Sequence, residues 1–123
     1  MAEKRVETVY VVDDEQVIAF SLAAILNRSG FRALAFTNPE KALQSAETEA
    51  PSLLISDVIM PEMNGIDFAI RLKSMCPSCK VLLFSGQAAT VDLLAAASKK
   101  GHDFQVLAKP IHPKDLLAAI AKL

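Results

Sequence analysis

Short apolar runs punctuate this chain, and four of them give way at once to polar residues. Val9-Tyr10-Val11-Val12 leads into Asp13-Asp14, and Leu53-Leu54-Ile55-Ser56 into Asp57. Val81-Leu82-Leu83-Phe84 leads into Ser85, and Val106-Leu107-Ala108 into Lys109. Continuous apolar runs of this length are the pattern of strands buried on both faces of a parallel sheet.

Helical periodicity fills the gaps between the runs. Val6–Val12 reads as a strand, followed by a helix from about Glu15 to Ser29 with Val17, Ile18, Leu22, Ile25 and Leu26 on one face and Gly30 as its stop. Phe31–Phe36 reads as a second strand. Asn38 suits an N-cap with Pro39 at the first helical position, and that helix runs to about Glu49, before Pro51. Leu53–Ser56 is the third strand, and a loop holding Pro61 and Gly65 leads to a helix over Ile66–Met75. Lys80–Phe84 is the fourth strand, Ala88–Lys100 an Ala-rich helix stopped by Gly101, and Phe104–Ala108 the fifth strand. Pro113 starts a final helix with Leu116, Leu117 and Ile120 facing inward.

Five strands alternating with five helices require an α/β fold, a parallel sheet covered on both faces and joined by right-handed crossovers. In open sheets of this kind ligands bind beyond the carboxyl ends of the strands. All four polar stations fall at such ends. Three carboxylates, a hydroxyl and an ammonium therefore converge on one small volume.

Composition narrows the classes. At 123 residues and 52% apolar, the chain has the size and core of one domain, residues 1–123. A net charge of −1 with no basic stripe, few aromatics and no Trp argue against nucleic-acid binding by this segment. No apolar run reaches the length of a membrane helix, and Met1-Ala2-Glu3-Lys4-Arg5 has no apolar stretch behind it that would make a signal peptide. With two cysteines, this points to the reducing cytoplasm.

The stations have a chemistry in common. Crowding Asp13, Asp14 and Asp57 at one edge costs free energy unless a cation screens them. Mg2+ suits hard oxygen ligands combined with a phosphate. An Asp carboxylate is a competent nucleophile toward phosphorus, Lys109 suits charge neutralisation of a phosphoryl group, and Ser85 suits a hydrogen bond to its oxygens. Taken singly, each residue has a plainer reading. Asp14 would be the N-cap of the first helix, Asp57 a turn former, Ser85 an ordinary turn residue and Lys109 a solvated lysine. The conjunction is what singles them out.

The chain resembles the receiver domains of two-component response regulators over nearly its whole length. The motifs that carry the resemblance are Val11-Val12-Asp13-Asp14-Glu15, Asp57-Val58-Ile59-Met60-Pro61-Glu62-Met63-Asn64-Gly65, Phe84-Ser85-Gly86 and Lys109-Pro110. The resemblance implies a doubly wound, flavodoxin-like, five-stranded parallel sheet in the order 2-1-3-4-5. It implies that Asp57 accepts a phosphoryl group from a histidine kinase or histidine phosphotransfer protein in a Mg2+-dependent reaction. Asp14 would contact the ion directly, Asp13 through water, and Asp57 and the backbone carbonyl of Ile59 would complete the protein ligands. Ser85 and Lys109 would engage the phosphoryl group, with a cis bond before Pro110. The chain would be a signalling switch rather than an enzyme, with an output surface on the fourth helix, fifth strand and fifth helix, an unnamed output partner and scope for a homodimer.

One departure concerns signal output. The family often places Phe or Tyr three residues before the lysine, where this chain has Val106; Phe104 would share its face in a regular strand and is expected to substitute in part. Ile59, two residues after the acceptor, offers no group to orient water, so slow self-dephosphorylation is expected. Two other readings are open to the chain: a Mg2+-dependent phosphohydrolase of the haloacid-dehalogenase kind, disfavoured because Ile59 stands where that family has a second Asp, and a receiver-like module that only binds a partner, disfavoured because the acids and the lysine are all present.

The remaining features read as structural. Cys76-Pro77-Ser78-Cys79 lies between a helix and a following strand, the reverse of the thioredoxin context, and two cysteines fall short of a zinc site. His102 and His112 have no ligand partner at metal spacing, and Lys99-Lys100 suits a solvated helix end.

Overall fold

The computed structural model describes residues 7–86, 90–102, 104–109 and 111–123. The elements run β1 (Thr8–Val12), α1 (Gln16–Arg28), β2 (Arg32–Phe36), α2 (Pro39–Ala46), β3 (Leu53–Asp57), α3 (Gly65–Met75), β4 (Lys80–Ser85), α4 (Thr90–Lys99), β5 (Gln105–Ala108) and α5 (Pro113–Ala121). All strand pairs are parallel and the sheet order is β2-β1-β3-β4-β5. This is the expected doubly wound α/β architecture.

Strand alternation divides the interior into two cores. Val9 and Val11 of β1, Leu53 and Ile55 of β3, and Leu82 and Phe84 of β4 face one side, where Leu22 and Leu26 of α1 and Leu116 of α5 cover them. Tyr10 and Val12, Leu54, and Val81 and Leu83 face the other, under Ala42 and Leu43 of α2, Phe68 and Leu72 of α3 and Ala97 of α4. The central strands are thus apolar throughout because neither face meets water.

The boundaries carry local causes. Asn38 caps α2 as expected, its side chain accepting from the N–H groups of Glu40 and Lys41. Gly30 and Gly101 hold φ of +98° and +89°, the left-handed turn that ends α1 and α4 and returns the chain to a strand. The α2 helix stops at Ala46 rather than near Glu49. Glu47 and Thr48 donate to carbonyls three residues back, so the helix tightens into a turn. Ala88, the expected start of α4, lies outside the described residues, as do Val6 and Pro110 with its expected cis bond.

One expected core residue is misplaced. Val17 is 78% exposed. The buried stripe of α1 is Ala19, Leu22, Ala23 and Leu26. Val17 precedes it by two residues, about 200° around the helix, so it projects away from the core.

Candidate functional site

The parallel register brings the four stations to one edge. Val12 pairs with Ser56, Asp57 with Phe84, and Ser85 with Ala108. Asp13, Asp57, Ser85 and Lys109 therefore leave adjacent strands at nearly the same height. Backbone bonds hold the exits in place: Asp13 N–H donates to Phe36 O, Val58 N–H to Phe84 O, and Lys109 N–H to Ser85 O, each at 3.1 Å.

Carboxylate oxygens of Asp13, Asp14 and Asp57 lie within 4.8 Å of one another. Asp13 and Asp57 are buried and Asp14 is exposed. Lys109 reaches over them, its Nζ 3.0 Å from Asp57 Oδ2 and 3.6 Å from Asp13 Oδ2. The first distance is a hydrogen bond and the second an ion pair without one. Asp13 Oδ1 accepts from Glu15 N–H at 2.9 Å, while Asp13 Oδ2 is buried with no hydrogen-bond partner among the described residues. Ile59 N–H lies 3.4 Å from Asp57 Oδ1.

The electrostatics follow from this crowding. Burial pushes the Asp13 carboxyl up to about 6, against the lowering effects of the Glu15 N–H and the Lys109 charge. Burial alone would lower Lys109; its hydrogen bond to Asp57, with the charges of Asp57 and Asp13, overrides this and raises it. Lys109 stays an ammonium, and the cluster carries three acids against one cation. An orphaned buried carboxylate oxygen within a set of hard oxygen donors fits a small divalent cation such as Mg2+.

The plainer readings of these residues do not hold. The N-cap of α1 is Glu15, without a side-chain bond, rather than Asp14. Asp57 ends a strand instead of forming a turn, and the Lys109 side chain is 24% exposed rather than solvated. Ser85 is buried one residue past the Phe84 partner of Asp57.

Two supporting contacts, made by motif residues Phe84 and Gly65, escaped sequence reasoning. Lys109 Nζ sits 5.1 Å from the Phe84 ring centroid, so this ring steadies the ammonium from below. Gly65 packs its Cα against the backbone carbonyl of Asp57, and its N–H donates to Val58 O at 2.6 Å. The motif marked Gly65 as a member, but no periodicity reveals such a close approach. Phe104 precedes β5, packs against the same core as Val106, and stacks on His102 with centroids 5.9 Å apart.

A parallel doubly wound sheet with this acid–lysine cluster at its carboxyl edge defines an open-sheet α/β domain with a polar site where such folds bind ligands. The family model for the response regulator receiver domain matches residues 9–121, and the chain belongs to that family. It is 32% identical over 115 residues to response regulator receiver protein CpdR of Brucella abortus, covering 94% of each chain. It is 31% identical to the transcriptional regulatory protein CreB of Escherichia coli, where 95% of this chain spans only 50% of that protein. The signal receiver domain of an HD domain-containing protein from Pseudomonas fluorescens superposes with a TM-score of 0.86 at 26% identity, over 96% of this chain and 94% of that one. No helix among the described residues is long and apolar enough to cross a membrane.

Proposed function

We propose that this domain is a phosphorylation-controlled switch and that Asp57 is its acceptor. The observation that carries the reading is the contact of Lys109 Nζ with Asp57 Oδ2 at 3.0 Å, inside a cluster of three carboxylates at the sheet edge. An Asp57 oxygen attacks phosphorus of a phosphohistidine. The P–O bond forms as the P–N bond breaks, and the imidazole nitrogen keeps the electron pair. Lys109, already aimed at that carboxylate, moves with the transferred group and offsets its charge. Ser85 donates to a phosphoryl oxygen. Asp13, Asp14, Asp57 and the Ile59 carbonyl would hold Mg2+, which supplies further charge neutralisation when bound.

The donor is a histidine kinase or a histidine phosphotransfer protein, and the setting is the cytoplasm. Output runs through the surface of α4, β5 and α5, with Phe104 standing in for the aromatic absent at Val106. A second copy or an output protein reads that surface; nucleic acid and membrane are not contacted by this segment. Ile59, beside the acceptor and 39% exposed, leaves the aspartyl phosphate without a group to orient water, which favours slow hydrolysis.

The test is intact-mass spectrometry after incubation with acetyl phosphate and Mg2+, on wild type and Asp57→Asn. One phosphoryl adduct on wild type, lost without Mg2+ and absent from the variant, is the expected result. No adduct from acetyl phosphate or from a phosphorylated histidine donor, with no binding of beryllofluoride, would replace the switch by a partner-binding module.

A further inference from the structure

Cys76 and Cys79 take no part in the acid–lysine cluster, yet their placement is specific. Cys76 is the C-cap of α3, and Cys79 directly precedes β4. Cys79 N–H donates to Cys76 O at 3.0 Å, closing a four-residue turn with Pro77 in its second position. Such a turn brings its first and last Cα atoms within about 7 Å. Disulfides span Cα separations of about 4.4–6.8 Å. Both residues belong to the same apolar cluster, and both are free, buried thiols.

The two thiols differ in access and restraint. Cys76 retains 9% exposure and Cys79 only 1%. Cys79 is held further by Lys73 Nζ, which donates to its carbonyl at 2.9 Å, and by its own thiol donating to Lys80 O at 3.3 Å. A thioredoxin-like motif opens a helix with an activated thiol. This pair instead follows a helix, and both residues are buried, Cys76 less completely than Cys79.

The geometry points to Cys76 and Cys79 as a reversible dithiol–disulfide site whose reactant is a small-molecule disulfide of the glutathione class. Cys76 leads. Its thiolate attacks one sulfur of the small disulfide, the S–S bond breaks, a mixed disulfide forms on Cys76 and one small thiolate leaves. Cys79 then releases its proton to solvent, its sulfur attacks Cys76 Sγ, and the second small thiolate leaves. Two protein thiols are oxidised and one small disulfide is reduced to two thiols. Burial pushes the Cys79 thiol up to about 12, so it is a weak nucleophile toward reagents in solution and takes the second step. In a reducing thiol pool the pair rests as the dithiol. The bond would tie the end of α3 to the start of β4, whose far ends carry Gly65 and Ser85.

The experiment treats the native chain with oxidised glutathione, quenches with acid, alkylates and measures intact mass. Wild type, Cys79→Ser and Cys76→Ser are compared, beside a urea-unfolded wild type. Native wild type is expected to lose two hydrogens and take no alkyl group, reversibly with dithiothreitol. Cys79→Ser should accumulate one glutathione adduct, and Cys76→Ser none. Circular dichroism checks each fold, and Cys79→Ala gives the same readout with an apolar side chain. Two alkylatable thiols in the treated native wild type would overturn the proposal, leaving two incidental buried cysteines. So would a stable glutathione adduct on wild type, because the thiols would then not meet.

Discussion

Gly65 lies closer to Asp57 than any side chain permits. A Cβ built on it stands 2.0 Å from the Asp57 carbonyl oxygen and 2.9 Å from both the Asp57 carbonyl carbon and Val58 Cα. Real Cβ contacts essentially never fall below 3.0 Å, so Gly65→Ala must open this gap by about 1 Å. The obstacles are backbone atoms, which no rotamer change can move aside. Gly65 does not hold a positive φ, so the whole cost is steric. Overpacking of this kind costs roughly 1–3 kcal/mol. Weakening the Gly65 N–H bond to Val58 O adds about 1 kcal/mol. The expected loss is therefore about 2–4 kcal/mol, or roughly 10 °C in melting temperature for a domain of this size.

Urea unfolding followed by circular dichroism measures it. Gly86→Ala is the control, since among the described residues a Cβ there meets only the Lys109 side chain, at 3.6 Å, an ordinary contact. Gly86→Ala should stay within about 0.5 kcal/mol of wild type. If Gly65→Ala also does so, the close packing of α3 on the Asp57 carbonyl is wrong, and with it the account of why the loop after β3 ends in glycine.

Three further outcomes follow from particular contacts. Asn38→Ala should cost about 1 kcal/mol, because Asn38 Oδ1 accepts from Glu40 N–H at 2.8 Å; an unchanged urea midpoint would deny the cap. Val17→Ser should change stability by less than about 0.5 kcal/mol, whereas Leu22→Ala, at a buried position of the same helix, should cost about 2–4 kcal/mol; equal losses would restore Val17 to the core. The Cys79 thiol, raised from 9 to about 12, contributes stability that is complete below pH 9 and is lost as pH climbs toward 12. Urea midpoints across that range should therefore fall more steeply for wild type than for Cys79→Ala, and parallel curves would contradict the burial of this thiol.

The sequence made the sheet legible because both faces of its central strands are covered. Continuous apolar runs such as Leu53–Ile55 have one reading once helices alternate with them. The site was legible for the same reason: a residue that ends a parallel strand has its height set by register, so Asp13, Asp57, Ser85 and Lys109 had to meet. Distances across the chain were not legible. Nothing along the sequence tells that Phe84 lies under Lys109 or that Gly65 touches the Asp57 carbonyl. Val17 was misread because apolar identity was taken for burial on a helix whose stripe is set by Ala19 and Ala23, small residues that let α1 approach the sheet. The end of α2 escaped because Glu47–Glu49 has no strong breaker before Pro51.

The acid cluster is hard to explain as a stabilising device. Lys109 satisfies Asp57 but leaves Asp13 Oδ2 buried without a hydrogen bond among the described residues, beside two other carboxylates. A buried charge with an unsatisfied oxygen costs stability unless something else binds it. Asp13→Asn should therefore act in opposite directions in two assays. In chelator, removing one charge while keeping the amide oxygen for Glu15 N–H should raise stability by about 1–2 kcal/mol. Mg2+ titration of the same variant should show affinity falling at least about tenfold. Were the metal-free variant less stable than wild type, the ion pair with Lys109 at 3.6 Å would outweigh the repulsion, and the cluster would be a structural salt-bridge network. Opposite signs in the two assays mark a site that gives up folding free energy to hold a ligand, which is what a switch requires of the residues that sense its input.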